Sequence, residues 1–268
     1  MKTQAERLPN NPPGNRWLSG FRPDAYRKIL QKHVEKTAAC FFNFKMINTD
    51  FHSHILPGID HGSDGLKTSL FQIRSAIAAG IENIVATSHF YPHRHHTRSF
   101  LESRAKAYHD LTEALDDEQK INIIPAAEIL LCEKLDRLPE LSELAVGNTN
   151  NLLIELPMNG FSKKHVDALE EMISHGYSII LAHPERFSRE NIESVLPLGV
   201  KLQLNATALS GLFIKPHIKD WIARDLVTAL GSDIHMADKN AYKRFLRAAK
   251  KLEVMDRTIN EKIDLILK

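Results

Sequence analysis

One repeating unit restricts this chain more than any other feature. Seven short apolar runs, at residues 47–51, 83–87, 122–127, 151–155, 178–182, 201–205 and 226–230, alternate with stretches of helical periodicity. Leu66, Leu70, Ile73 and Ile77 share one helical face, and Gly80 stands where a helix C-terminus favours glycine. Similar helical patterns cover residues 99–115, 162–174 and 240–252. Strands that alternate with helices predict an α/β fold. Its sheet is parallel with helices outside, either open or closed as a barrel.

The second feature is what each run delivers at its C-terminal end. The first reaches His52 and His54, the second His89, the third Glu128 and the fourth Glu155. The fifth reaches His183, the sixth Asn205, and the seventh Asp233 and His235. In α/β barrels these ends face one mouth, where the βα loops build the site. One such residue is a common accident; a series in register is not.

His52 and His54 are two apart, so on a strand both imidazoles face the same way. Asp233 and His235 repeat the spacing with one carboxylate. Glu128 and Glu155 are embedded in apolar surroundings, PAAEIL and LLIELP. A buried unpaired carboxylate is costly, and a cation or a buried salt bridge would offset it. A donor set of imidazole and carboxylate without thiolate favours Zn²⁺, Mn²⁺ or Fe²⁺. The ligands are too many for one ion and suit two or three that share carboxylates. Such clusters hydrolyse phosphoesters. Arg186 follows three residues after His183. It either reaches the mouth, where guanidinium matches phosphate, or pairs with Glu185 or another acid.

Composition removes other classes. Lys and Arg total 35 against 33 Asp and Glu, so a net charge of +2 gives no electrostatic case for nucleic acid. Two cysteines exclude a disulfide framework and suit a reducing compartment. With no signal-like or membrane-spanning run, the expected location is cytoplasmic, without membrane insertion. Cys132 and Arg137 do not have the spacing of a cysteine-phosphatase loop, and no glycine-rich nucleotide motif occurs. Gly211 and Gly231 read as isolated turn residues. Residues 1–45 differ in composition: PNNPPG at 9–14 should be irregular, and 22–37 fits one short helix. They read as a loosely attached extension, or as an upstream stretch before a natural start at Met46. Residues 46–268 form the domain.

The segments MINTDFHSHILPGIDHGS at 46–63, IVATSHF at 84–90, PAAEI at 125–129, LLIELP at 152–157, IILAHPERF at 179–187, LQLNATALSGLF at 202–213 and LGSDIH at 230–235 occur in one order. Together they resemble the PHP (polymerase and histidinol phosphatase) superfamily. The likeness is strongest to its bacterial protein-tyrosine phosphatases of capsule and exopolysaccharide loci. The resemblance implies a distorted (βα)7 barrel of the PHP type with a trinuclear, typically manganese-supported site, Zn²⁺, Fe²⁺ or Co²⁺ being alternatives. It implies hydrolysis of phosphotyrosine in the C-terminal segment of a bacterial tyrosine autokinase that governs polysaccharide synthesis. His52, His54, His89, Glu128, Glu155, His183, Asp233 and His235 match the metal ligands, and Arg186 matches the phosphate-holding arginine. His235 or His54 would protonate the leaving phenolate. The alternatives are a phosphoesterase for a small monoester such as histidinol phosphate, and an inactive metal-binding regulator.

Two positions depart from the pattern. His61 stands where the family has a second acid that binds metal; it either coordinates in the acid's place, leaves Asp60 to do so, or leaves that ion weakly held. Leu130 replaces a common arginine, for which Arg94 or Arg98 could compensate. The loop YPHRHHTR at 91–98 reads as a cationic rim for a phosphorylated, acidic peptide, or as a solvated loop. The apolar face at 66–77 suits a core or an oligomer interface equally.

Overall fold

A computed structural model describes residues 46–116 and 121–268. The extension at 1–45, with its expected helix at 22–37, lies outside the described residues. Seven strands form one sheet: β1 (Thr49–Ser53), β2 (Asn83–Phe90), β3 (Asn122–Leu130), β4 (Asn151–Glu155), β5 (Ser178–Ala182), β6 (Lys201–Asn205) and β7 (Val227–Gly231). Each pairs in parallel with the next, in the order β1 to β7 without reversal. A chain that always steps in one direction curls its sheet back on itself. The two edges meet where Ser53 bridges Ile234 in parallel, and where the Asp233 N–H donates to the His52 carbonyl at 2.8 Å. The result is a nearly closed barrel of seven strands.

Helices α1 (Leu66–Ala78), α2 (Thr97–Glu113), α3 (Lys163–Ser174) and α7 (Ala241–Met255) follow the four periodic stretches. Ile73 of α1 is fully buried while Leu66 is exposed, so most of this face serves the core. Gly80 takes a φ of +80° just past α1, as a C-terminal glycine should. Four shorter helices escaped the periodicity: α4 (Arg189–Val195), α5 (Ala206–Ser210), α6 (Pro216–Ala223) and α8 (Ile259–Ile266). With five to eight residues each, they complete too few turns to write a pattern.

The apolar side chains divide into two clusters. The larger lies between sheet and helices. The smaller fills the barrel with Phe51, Val85, Ala126, Val146, Leu153, Ile180, Ala182 and Ala229, against which Ile266 and Leu267 pack. Strands β2 and β3 run longer than the apolar runs predict, because their register continues through His89↔Glu128 to Phe90↔Ile129. Those two site residues are therefore held by the sheet ladder itself. β1 starts two residues later than expected, and its register with β2 slips between Asp50 and Ser53. Irregularities of this kind re-aim side chains beside functional sites.

Gly231 is the last residue of β7 rather than a turn residue. A Cβ there would collide with the Cβ of His52, so glycine is required for the close approach of the seam. No helix among the described residues is long and apolar enough to cross a membrane.

The seam is fixed by one buried carboxylate. Asp50 Oδ1 accepts from the Ser232 N–H at 2.7 Å and the His52 N–H at 3.3 Å, while Oδ2 accepts from the Tyr242 hydroxyl of α7 at 2.9 Å. Tyr242→Phe keeps the ring and removes one donor from a buried acceptor, which should cost about 1–3 kcal/mol. Urea unfolding should show that loss; an unchanged midpoint would mean the seam does not depend on this bond.

Candidate metal centre

The C-terminal ends of the strands converge on Glu128, which is buried in β3. Its Oε1 stands 2.6 Å from His183 Nε2. Its Oε2 stands 2.9 Å from His89 Nδ1, 3.3 Å from His52 Nε2 and 3.4 Å from His54 Nε2. Glu155, at the end of β4, comes within 3.7 Å of His183 Nε2. Asp233 Oδ1 lies 3.3 Å from His54 Nε2 and 3.6 Å from His52 Nε2. The His235 ring stacks on His54 at 4.2 Å. His61 is drawn in as well, its ring 4.7 Å from His89 and 4.6 Å from His235. All nine side chains nominated as metal ligands thus come together at one mouth.

Hydrogen bonds on the far side of the rings determine which nitrogens face inward. His52 Nδ1 meets Gln203 Oε1 at 2.8 Å, and the Gln203 amide is oriented by donating Nε2 to the Leu204 carbonyl. His54 Nδ1 meets Asp60 Oδ2 at 2.9 Å, and His235 Nδ1 meets the Asp233 carbonyl at 3.0 Å. Each Nδ1 is therefore the donor, and each Nε2 turns a lone pair toward the site. The Nε2 atoms of His52 and His54 consequently face one another at 3.1 Å, beside a carboxylate. His235 Nε2 and His183 Nδ1 are buried with no hydrogen-bond partner, and His89 Nδ1 and Glu128 Oε2 lie close together without hydrogen-bond geometry. Lone pairs and anionic oxygen directed at one another repel unless positive charge lies among them. Three overlapping groups have donor atoms close enough to hold an ion: His54, His89 and His235; His52, His54 and Glu128; His89, Glu128 and Glu155. The donor set fits divalent metal.

The electrostatics express the same demand. Burial alone would lower His54, yet its bonds with Asp233, Asp60 and Glu128 hold it well above the ordinary imidazole range. Burial would raise Glu128, yet His52 and His183 hold it well below the usual carboxylate range. Glu155 is pushed up to about 7 by burial and by the charge of Glu128. His235 is lowered to about 4 by burial and by the neighbouring His54. The raised His54 and the raised Glu155 both express a surplus of negative charge at the site, which a cation among these donors would neutralise.

The backbone is shaped to the same end. His183, Asp233 and Met236 adopt φ values of 32°, 51° and 51°, which non-glycine residues rarely take. Gly62 lies so close to His54 that a Cβ would collide with that residue's Cβ.

Asp60 lies behind the His54 ring. Its Oδ2 accepts from His54 Nδ1 and from the His89 N–H at 2.8 Å, and its Oδ1 accepts from the Gly62 N–H at 2.8 Å. It positions His54. Arg186 pairs with Asp233 rather than with Glu185; its side chain is 47% exposed at the mouth. Asn205 Nδ2 donates to the same Asp233 oxygen at 2.8 Å. Arg94 lies over the Tyr91 ring at 5.7 Å, and Arg98 reaches Glu140 at 3.9 Å. Gln203 was missed by sequence reading. Its only signal is an uncharged polar residue at the centre of the apolar run of β6.

Residues 48–264 match the protein family described as capsular polysaccharide synthesis, CpsB/CapC. Tyrosine-protein phosphatase YwqE of Bacillus subtilis (strain 168) is 24% identical over 232 residues, covering 81% of this chain and 87% of that protein. Tyrosine-protein phosphatase CpsB of Streptococcus pneumoniae is 26% identical over 211 residues, covering 70% and 83%. A crystal structure from a study of YwqE and CpsB, described as unique metal-dependent tyrosine phosphatases, superposes with a TM-score of 0.67 at 22% identity. It covers 82% of this chain and 94% of the other, and so shares its fold. The match spans most of the barrel and every residue of the site, and the chain belongs to the CpsB/CapC family.

Proposed function

We propose that this chain is a metal-dependent phosphotyrosine-protein phosphatase. Its substrate is the tyrosine-phosphorylated C-terminal segment of a bacterial tyrosine kinase that regulates capsule or exopolysaccharide synthesis, and it works in the cytoplasm. The observation that carries the reading is the inward-facing, unpaired set of imidazole and carboxylate donors around Glu128. The names of its relatives supply the substrate class.

His52, His54, His61, His89, Glu128, Glu155, His183, Asp233 and His235 would hold two or three divalent ions, with Mn²⁺ the expected metal. Bound there, such ions make water nucleophilic near neutral pH and neutralise charge on phosphoryl oxygen. The residues provide the rest. Arg186 is exposed at the mouth and can exchange Asp233 for the phosphoryl oxygens, which its planar fork matches. Asn205 keeps Asp233 in place when that exchange occurs. Water then attacks phosphorus, the bond to the tyrosyl oxygen breaks, and phosphate and tyrosine leave. No side chain takes the phosphoryl group. A phenol ionises at a pKa of about 10, so the leaving group needs little acid assistance. His235 has one unengaged nitrogen, beside His54 and His89, which would either hold an ion or protonate the departing phenolate. Arg94 and Arg98 belong to the rim. Residues 1–45 are an appended segment and 46–268 the catalytic domain.

Phosphate release from a phosphotyrosyl peptide should require Mn²⁺ and stop with a chelator. Release from histidinol phosphate alone would instead favour a small-molecule phosphoesterase. Arg186→Ala should reduce turnover of the peptide by about 10²–10³, the usual effect of losing one group that stabilises transition-state charge. His61→Asp tests whether the imidazole is a competent ligand: little change is expected, and a large gain would mark the natural site as degraded. Mn²⁺ should also raise the thermal midpoint of the metal-stripped protein. Glu128→Gln should lose most of that response, because an ion stabilises only a fold that can bind it.

A further inference from the structure

A groove of about 330 Å³ opens beside the metal centre, between the loop that follows β1 and the start of α2. Its walls carry Arg94, His95 and His96, its apolar surface is Ile59 and Phe100, and Ser103 lies on the α2 side. None of its lining residues is acidic. The nearest acid in sequence, Asp60, is turned away to His54, His89 and Gly62. Arg98 does not line the groove and is occupied with Glu140.

The groove is connected to the site by ordered side chains. Tyr91 stacks on His89 with ring centres 5.3 Å apart and planes 18° from parallel. The Arg94 guanidinium lies 5.7 Å from the centre of the same Tyr91 ring. His95 Nδ1 accepts from the Tyr91 N–H at 3.1 Å, so in the neutral ring the proton sits on Nε2 and leaves a donor there. The His95 ring is stacked on the buried Phe100 at 5.9 Å. Arg94 itself has no carboxylate partner among the described residues, and a guanidinium in such a place is available to an anion. The two ring contacts keep the groove within about three extended residues of the metal centre, at roughly 3.3–3.6 Å per residue.

We infer that this groove is a subsite for an acidic side chain, carboxylate or phosphorylated, within three residues of the phosphotyrosine in the substrate chain. The inference rests on the phosphatase reading and adds a sequence preference to it. Arg94 and His95 supply the donors, and Ile59 and Phe100 receive the aliphatic or aromatic stem.

The test uses one phosphotyrosyl peptide series with glutamate, phosphoserine, glutamine or lysine at flanking positions, together with a small aryl phosphate. The metal-loaded full chain should prefer the glutamate or phosphoserine peptide over glutamine by about tenfold in kcat/KM, mainly through KM, as one charge-assisted contact implies. Preference for one of the two anions identifies whether carboxylate or phosphoryl is the natural occupant. Arg94→Gln should bring the glutamate-to-glutamine ratio close to one, and Ser103→Glu should shift preference toward lysine. Turnover with no flank preference, or a preference that survives both substitutions, overturns the subsite alone. No turnover of any peptide or of the aryl phosphate overturns the phosphatase reading and the subsite with it.

Discussion

Everything in this fold is arranged around a buried carboxylate that four imidazoles approach with their nitrogens turned inward. Glu128 is held by the β2–β3 ladder and cannot withdraw to solvent. His52, His54, His89 and His183 are equally fixed, by the seam, by Gln203 and Asp60, and by backbone bonds. Such a cluster without a cation sets lone pair against lone pair, and removing charge from water into a protein interior costs several kcal/mol per ion. The chain spends stability to keep these groups together. That investment makes sense as preorganisation for ions, since ligand geometry need not be rebuilt when they bind.

Topology explains why the groups can meet at all. A parallel sheet wound in one direction brings every strand's C-terminal end to one mouth. At the other end, Ile266 and Leu267 pack against the barrel interior. The closure between β1 and β7 matters most, because His52 and His54 come from one edge and Asp233 and His235 from the other. Asp50, Ser232, Tyr242 and the close approach at Gly231 join those edges. The positive φ angles of His183 and Asp233 turn the chain at the mouth, and the rest of the barrel carries that strain.

The fold and the side chains that converge at the mouth were readable because both are written in local pattern. Apolar runs mark the strands, and a polar metal-binding residue at the end of an apolar run stands out against its neighbours. His61 could be nominated only through resemblance, and its ring contacts with His89 and His235 place it in the cluster. What could not be read depends on partners distant in sequence. Gln203 is an unremarkable amide until His52, 151 residues away, is placed beside it. Asp60 reads from the sequence as a spare ligand, and its bonds to His54 and the His89 backbone, which place it to orient His54, appear only in the fold. The choice of Asp233 over Glu185 as the partner of Arg186 depends likewise on the return of β7 to the mouth. Gly231 was misread because collision with His52 is a property of the closed barrel, not of the residues beside it.

The central claim is that the side chains around Glu128 form a multinuclear centre, and counting ions tests it most directly. Metal-stripped protein would be titrated calorimetrically with Mn²⁺, and its electron paramagnetic resonance spectrum followed at each addition. The account predicts saturation at two or three ions per chain, with the spin coupling expected of ions that share a carboxylate. Failure to bind stoichiometrically, or saturation at one isolated ion, would contradict it.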